Sequence, residues 1–342
     1  MSFWNELPKP IVVLAPLANV TDAAFRRIIA KYSKHTRKDG SIGGPDVFWT
    51  EFVSADGLMR ATPEGKEKLM ADLMYSEEER PIVAQLFSSH PEYMAQAATL
   101  CLELGFDGID INMGCPDKTI EKQGCGSAMI KNPALACEII RATKRGAGGI
   151  PVSVKTRIGY NKNELETWLP ALLRENPAVI TVHARTRKEM SKVPARWEHV
   201  REAVLLRDAI QNDVWQAENP GVDKTLIFGN GDVISLADAH SKAEETGADG
   251  IMLGRAIFGN PWLFNPEISV SHVPVAEKLR VMLEHTKLFE DILSFKNFAL
   301  MKKHYKAYVH DFDGAKELRA ILMEKGTYAE IEEVVNGWLG AR

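Results

Sequence analysis

Short runs rich in valine and isoleucine alternate with amphipathic stretches from the start of the chain almost to residue 260. Most of these runs are continuously apolar, which is typical of parallel strands buried on both faces of a sheet. There are eight such runs, at residues 11–16, 47–52, 82–87, 108–112, 152–158, 179–185, 226–232 and 250–255. Eight strands that are each followed by a helix predict an α/β fold, a (β/α)8 TIM barrel.

The segments between the strands have helical periodicity, for example at 22–31, 91–104, 133–145 and 235–246. Ser235 is an N-cap candidate for the last of these helices, and Gly247 is a stop signal after it. An open, doubly wound sheet would carry a Gly-x-Gly-x-x-Gly motif directly after the first strand. Residues 15–19 contain no glycine, so the sequence favours the barrel.

The pattern changes after about residue 266, where strand-like runs stop and the periodicity stays helical to Trp338. We therefore expect a boundary near Val270, with a barrel domain at 1–268 and a small C-terminal all-helical domain at 269–342. Two polar stretches, 32–45 and 213–224, are interpreted as surface loops inserted between barrel elements.

The composition excludes several classes of protein. The chain is 45% hydrophobic and 26% charged, with a formal net charge of −4, which is ordinary for a globular protein and unusual for a general polyanion binder. No run approaches the roughly 18 apolar residues of a membrane span, and no signal peptide is visible. We expect a cytoplasmic monomer with four reduced cysteines, no membrane association, no stable protein partner and no bound metal.

Polar residues and glycines cluster at the predicted carboxyl ends of six strands, where barrels carry their chemistry. A single polar residue at a strand end is commonly a loop contact or a cap. Six strands that end in this way predict one shared site at the barrel mouth. The residues concerned are Gln85, Asn112, Lys155, His183, Asn230, Gly231, Asp232, Gly254 and Arg255.

The ends of the last two strands indicate an anion site. Glycines at 231 and 254 let backbone N–H groups approach an anion, and Arg255 adds a positive charge. The loops after the seventh and eighth strands are the usual phosphate site of a barrel. These glycines could instead serve only to make tight turns, but with Arg255 beside them the phosphate site is favoured.

A lysine and two cysteines are candidates for the chemistry itself. Lys155 follows a buried strand and either forms a Schiff base or stabilises negative charge on a bound ring. Cys115 lies in a loop predicted to overhang the mouth, where a thiol of ordinary pKa, roughly 8.5, can donate a proton to a carbanion-like carbon. Cys125 lies in the same loop and stays a second candidate, whereas Cys101 and Cys137 are expected to be buried in helices.

Six segments in this order resemble the tRNA-dihydrouridine synthases. They are Ala-Pro-Leu-Ala at 15–18 with Thr-Asp at 21–22, Asp-Ile-Asn-Met-Gly-Cys-Pro at 110–116, Val-Lys-Thr-Arg at 154–157, Val-His-Ala-Arg-Thr-Arg at 182–187, Gly-Asn-Gly-Asp at 229–232 and Met-Leu-Gly-Arg-Ala at 252–256. The similarity runs from about residue 11 to 264 and extends weakly into 301–305. Each motif alone is weak, but the set in this order is highly specific.

The resemblance implies an FMN-dependent enzyme that reduces uridine in tRNA to dihydrouridine, with NADPH as electron donor. Hydride would pass from flavin N5 to C6 of uracil, and Cys115 would protonate C5. Lys155 would face the N1–C2 carbonyl side of the flavin. Asn112 would read the edge of the uracil, which must be extruded from the folded RNA, and Arg185 would contact the base or a neighbouring phosphate. The flavin ring would contact Pro16, Leu17, Ala18 and Gln85, and the ribityl phosphate would be held by His183, Asn230, Gly231, Asp232, Gly254 and Arg255.

The C-terminal segment 295–310 contains four lysines and no acid. By itself this pattern indicates an amphipathic helix with a solvated basic face. With the tRNA substrate that the resemblance implies, we expect Lys302, Lys303 and Lys306 to contact RNA phosphates.

Two other functions are compatible with parts of this pattern. The first is an FMN barrel acting on a free small molecule, such as a dihydroorotate- or dihydropyrimidine-type dehydrogenase. The second is an RNA-binding protein without catalysis that assists tRNA folding. The basic helical segment and the Gly-Cys-Pro context favour tRNA over a small molecule, and the presence of Cys115 and Lys155 argues against a non-catalytic protein.

Overall fold

Eight parallel strands form the centre of the computed structural model, which describes residues 2–341. They are β1 (Ile11–Leu14), β2 (Phe48–Ser54), β3 (Ile82–Phe87), β4 (Gly108–Met113), β5 (Val152–Arg157), β6 (Val179–His183), β7 (Leu226–Asn230) and β8 (Gly250–Leu253). From β2 to β8 the strands pair in chain order, and β1 pairs with β8. The sheet therefore curls into the TIM-barrel-like fold that the sequence predicts.

Backbone hydrogen bonds also join the two ends of the curled sheet. The N–H of Asp46 donates to the carbonyl of Val12 at 2.9 Å, and the N–H of Leu14 donates to the carbonyl of Val47 at 3.4 Å. These bonds connect β1 to the residues directly before β2. All eight strands consequently direct their carboxyl ends to one mouth.

Helices surround the sheet and continue beyond it. They are α1 (Ala23–Tyr32), α2 (Ala55–Arg60), α3 (Pro63–Asp72), α4 (Pro91–Glu103), α5 (Lys118–Lys122), α6 (Pro133–Gly146), α7 (Leu165–Leu173), α8 (Glu198–Ile210), α9 (Asp213–Glu218), α10 (Leu236–Thr246), α11 (Val275–Ile292), α12 (Lys302–Tyr308), α13 (Ala315–Leu322) and α14 (Tyr328–Gly340). As the sequence predicts, the Ser235 side chain caps α10, and Gly247 ends it with a left-handed φ of +73°. Among residues 2–341 no helix is both long and apolar enough to cross a membrane.

Apolar side chains fill the barrel below the mouth. Trp4 packs with its ring centroid 5.8 Å from that of Trp49 and 5.7 Å from that of Phe228. Val13 and Met252 belong to the same buried cluster. Because this cluster occupies the interior, polar side chains that point inward lie above it, at the carboxyl ends of the strands.

A second, larger cluster lies between the sheet and the helices, and it extends into α11–α14. Phe25 of α1 stacks on His285 of α11 with centroids 4.7 Å apart, and it contacts His304 of α12 edge-on at the same distance. Leu318 and Ile331 join the same cluster. The C-terminal helices therefore share their core with the barrel.

Three local expectations need correction. The stretch 32–45, predicted as a loop, contains two short antiparallel strands, His35–Thr36 and Ile42–Gly43. The stretch 213–224, also predicted as a loop, contains α9, because Asn212 caps the N–H groups of Val214 and Trp215. The basic segment 295–310 is not one helix. A 3₁₀ turn, Phe298–Met301, precedes α12.

Candidate functional site

A cavity of about 300 Å³ opens at the carboxyl ends of the strands. Except for the three lysines of α12 and the alternative thiol Cys125, every site residue predicted from the sequence lines this cavity. These residues are Pro16, Leu17, Ala18, Gln85, Asn112, Cys115, Lys155, His183, Arg185, Asn230, Gly231, Asp232, Gly254 and Arg255. The structure brings these side chains together at one mouth.

A buried hydrogen-bond network forms one wall of the cavity. The Asp110 carboxylate accepts from Gln85 Nε2 at 2.6 Å and from Ser153 Oγ at 2.6 Å. Asn112 Nδ2 donates to Gln85 Oε1 at 3.0 Å. Burial raises the pKa of Asp110 to about 6. Both ends of the Gln85 amide are bonded in this network, so the amide presents the same side to the cavity at all times.

Lys155 extends from β5 into the cavity and donates to Asn230 Oδ1 at 3.1 Å. Asn230 is itself held by a 2.8 Å bond from Nδ2 to the carbonyl of Met252. Burial and the neighbouring Arg157 lower the pKa of Lys155 to about 8, against the opposing effect of Asp110. At neutral pH Lys155 is therefore a cation that binds an electron-rich partner readily.

The loop that carries Cys115 is fixed from two sides. Asn112 Oδ1 accepts from the N–H groups of Gly114 at 3.1 Å and Cys115 at 2.9 Å. Arg157 Nε donates to the carbonyl of Gly114 at 2.7 Å, and its Nη1 donates to the carbonyl of Thr186 at 3.2 Å. Arg157 was not among the predicted site residues. It lies two positions after Lys155, so the two-residue period of a strand places both on one face and could have identified it.

The two candidate cysteines of this loop differ in position. Cys115 lines the cavity, and burial raises the pKa of its thiol, so the thiol keeps its proton at neutral pH. Cys125 is only 1% exposed and packs with Ile120 and Phe87. Its Sγ donates to the carbonyl of Gln123 at 3.5 Å. Cys115 is thus the thiol that a molecule in the cavity would meet.

An ion-pair chain lines the end of the cavity formed by Asp232 and Arg255. The Asp232 carboxylate pairs with both Arg185 and Arg255, and it also accepts from the N–H of Ala195 at 2.8 Å. The hydrogen bond from Arg185 outweighs burial and lowers the pKa of Asp232. Arg255 remains 63% exposed, so it can bind a further anion. Arg185, in contrast, is 2% exposed.

Arg185 is occupied by partners within the protein. Its Nε donates to the carbonyl of Val193 at 2.7 Å, and its Nη1 donates to Nε2 of His183 at 3.2 Å. Burial, together with Lys155 and the nearby arginines, keeps the pKa of His183 well below its ordinary value. His183 is therefore a neutral imidazole whose Nε2 accepts a hydrogen bond.

The backbone of Gly231 passes close to Ala195 at this end of the cavity. Its φ is +129°, and a side chain there would lie 2.9 Å from Cβ of Ala195. The Gly231 carbonyl accepts from Trp197 Nε1 at 3.0 Å, which fixes the peptide. Only glycine fits this position without a shift of the backbone.

The lysines predicted to bind RNA lie outside this cavity. Lys306 is exposed and Lys302 is half-buried on α12. Lys303 instead reaches the barrel, where its Nζ donates to the carbonyl of Asn19. Lys296, in the same basic segment, is buried in ion pairs with Glu51 at 2.8 Å and Asp72 at 2.6 Å.

Comparison with solved structures supports the fold alone. The structure of 2-naphthoyl-CoA reductase with 2-naphthoyl-CoA superposes with a TM-score of 0.50 at 12% identity. The match covers 74% of this chain and 49% of that chain.

Comparison with curated sequences gives much closer relatives. A probable tRNA-dihydrouridine synthase of Staphylococcus aureus (strain COL) is 38% identical over 341 residues, which cover 98% of this chain and 95% of that protein. Probable tRNA-dihydrouridine synthase 2 of Bacillus subtilis (strain 168) is 38% identical over 338 residues, with 98% and 96% coverage. The family model described as dihydrouridine synthase matches residues 13–336. This chain belongs to the dihydrouridine synthase family.

Proposed function

We propose that the protein reduces uridine in tRNA to 5,6-dihydrouridine, with FMN bound in the cavity and NADPH as electron donor. Since the chain belongs to the dihydrouridine synthase family, one observation carries the proposal. The Cys115 thiol, the Lys155 cation and the anion-binding end around Arg255 line a single cavity. A proton-donating thiol and a cation in one cavity are suited to adding hydrogen across a polarised double bond.

The donors in the cavity fit FMN. Within the described chain Lys155 makes one side-chain hydrogen bond, to the neutral amide of Asn230, which leaves N–H groups for the N1–C2 side of a flavin ring. The phosphate would lie beside the exposed, positively charged Arg255. Because Gly231 and Gly254 have no side chains, the phosphate would also reach their backbone N–H groups. The ring would contact Pro16, Leu17, Ala18 and Gln85, while the ribityl chain would lie along His183, Asn230, Gly231 and Asp232.

The chain's own residues account for the proton. When bound, reduced FMN would supply the hydride for C6 of uracil. Cys115 Sγ would donate the proton to C5, so that two hydrogens are added across the double bond. The raised pKa of Cys115 keeps the thiol protonated for this step. Asn112 and Arg157 hold the Cys115 backbone in place.

The substrate reaches this thiol only if the uracil leaves its stack in the RNA. Asn112 Nδ2 retains one N–H after its bond to Gln85, and this N–H would read a uracil carbonyl. Arg185 is enclosed, and each of its three guanidinium nitrogens is bonded within the protein. In this proposal it therefore positions Asp232 and His183 rather than contacting the base or a phosphate itself. Lys302 and Lys306 would contact phosphates of the same RNA.

Anaerobic absorption spectroscopy tests the proposal directly. The flavin absorbance of the purified protein, reconstituted with FMN, should bleach with NADPH and recover when unmodified tRNA is added. Free uridine is the control, and it should give no recovery. Recovery with free uridine or orotate would favour a small-molecule dehydrogenase. Failure to bind FMN would contradict the proposal at its first step.

A further inference from the structure

The loop after β1 forms one wall of the cavity and is held by charged side chains from elsewhere. Pro16, Leu17 and Ala18 line the cavity, and Asn19 follows with a left-handed φ of +55°. Within the loop, the N–H of Leu17 donates to Thr21 Oγ1 at 2.8 Å. The N–H groups of Val20 and Thr21 also donate to the carbonyl of Leu17, at 2.9 and 3.0 Å. Further support of the loop comes from charged side chains outside it.

Both peptide groups of Asn19 bind charged side chains. Its N–H donates to Oε1 of Glu51 on β2, and its carbonyl accepts from Nζ of Lys303 on α12. Hydrogen bonds to charged groups are roughly twice as strong as those between neutral groups. These two bonds therefore fix the left-handed turn that ends the cavity wall.

Glu51 is in turn fixed by the C-terminal segment. Lys296 Nζ lies 2.8 Å from Glu51 Oε2 and 2.6 Å from Asp72 Oδ1, and the side chains of Lys296 and Glu51 are 12% and 7% exposed. Burial alone would lower the pKa of Lys296, but the two carboxylates raise it above its usual value. Lys296 is consequently a cation at neutral pH, and its ion pair holds the Glu51 side chain in position.

We propose that Lys296 and Lys303 are positioning residues that act through Glu51 and Asn19 to fix the cavity wall formed by residues 16–18. Docking of the C-terminal segment then sets the shape of the cofactor cavity. The cofactor part rests on the proposed function, but the positioning of the loop does not. Lys303 then supports the cavity wall, in place of the RNA contact expected from the sequence.

Hydrogen exchange on the full chain, without cofactor or RNA, tests the positioning. Lys303→Met should make amides in a peptide covering residues 15–22 exchange about tenfold faster, because one charge-assisted bond is lost. Lys303→Arg, which can still donate to the Asn19 carbonyl, should restore slow exchange. Lys316→Met removes an exposed charge on α13 and is the matched control, with exchange in the loop unchanged. Unchanged exchange in Lys303→Met would overturn the proposal.

FMN and tRNA titrations on the same variants separate positioning from RNA contact. Lys303→Met should weaken FMN binding about tenfold, as measured by quenching of flavin fluorescence, and Lys303→Arg should restore it. A loss of tRNA affinity in filter binding with unchanged FMN affinity would contradict the inference. Lys296→Met should have the same two effects. If it does not fold, Lys303→Met decides alone, since it leaves the buried pair with Glu51 intact.

The loop measurement also separates this inference from the proposed function. A wild-type protein that binds no FMN, but whose loop exchanges faster in Lys303→Met, contradicts the cofactor proposal and supports the positioning. A protein that binds FMN equally well in both forms, with unchanged loop exchange, contradicts only the positioning.

Discussion

Cys115 and Cys125 show what separates two identical side chains of one loop. From the sequence both thiols were candidates, because spacing does not say which side of a loop faces the mouth. In the structure Cys115 lines the cavity, while Cys125 packs behind it against Phe87. The side chains of Asn112 and Arg157 bond the backbone at the start of the loop and hold Cys115 at the cavity.

Replacing Cys115 by alanine should slow the tRNA-dependent recovery of flavin absorbance by about 10² to 10⁴, the usual contribution of a general acid. FMN content should stay unchanged, because the thiol only lines the cavity beside the ring. Stopped-flow absorbance under anaerobic conditions measures the rate. Cys125→Ala is the matched control and should recover at nearly the wild-type rate. Equal rates in both variants would exclude Cys115 as the proton donor.

The low pKa of Lys155 predicts a pH dependence for flavin reduction by NADPH. Burial and Arg157 lower that pKa to about 8, so the cation is lost as pH rises above 8. The rate should fall above this pH if the cation stabilises charge on the flavin. Cys115 cannot cause this fall, since its pKa is raised. Lys155→Met should be slow throughout, without the change near pH 8. A wild-type reduction rate that does not change up to pH 10 would contradict this role.

At the scale of elements, the sequence predicts the residues at the strand ends better than the contacts of the basic segment 295–310. Polar residues after apolar strands had to meet at the mouth, because parallel strands place their carboxyl ends together. The four lysines of 295–310 carried no such constraint. Lys296 contacts Glu51 and Lys303 contacts Asn19, both in the barrel, whereas Lys306 is exposed. Tertiary packing decides this division. Local periodicity does not contain that information.

Lys302 and Lys306 remain the residues of α12 available to RNA. The double variant Lys302→Ala/Lys306→Ala should weaken tRNA binding at physiological salt and reduce the slope of log affinity against log salt by about 1 to 2. FMN content should be unchanged, since neither residue lines the cavity. Filter-binding titrations at several salt concentrations measure both quantities, with Lys316→Ala as control. Unaltered tRNA affinity would contradict phosphate contact by this helix.

At the scale of the whole molecule, the eight-strand count and the continuity of apolar runs were enough to predict the barrel. The sequence did not reveal how the C-terminal helices attach. His285 and His304, which read as ordinary helix residues, are buried against Phe25 at the seam. Two polar rings in an apolar seam are not expected from pattern alone, because histidine is usually only partly buried.

This seam should make stability depend on pH. Burial lowers the pKa of His285 to about 3, and within residues 2–341 neither of its ring nitrogens has a hydrogen-bond partner. Below the ordinary histidine pKa the unfolded chain binds a proton that the folded chain refuses, so stability falls as pH falls from about 6.5. Between pH 7 and 5, wild type should lose about 2 kcal/mol more unfolding free energy than His285→Phe.

Urea unfolding at the two pH values measures the difference. Comparison with His285→Phe removes the contribution of the carboxylates, which titrate in both proteins. His272 is exposed, so His272→Phe should keep the wild-type pH dependence. If His285→Phe shows the same loss as wild type, the seam histidine is not the cause.

The core shared by the barrel and the C-terminal helices has a consequence for selectivity among uridines. Leu318 and Ile331 belong to the same apolar cluster as the barrel helices, so packing rather than a flexible linker sets the separation between Lys306 and Cys115. In the proposed function, that separation decides which nucleotide reaches the thiol when a phosphate is bound at α12. A repacking of the seam between α1 and α11 could therefore change the modified position without altering any residue that touches the RNA or the flavin.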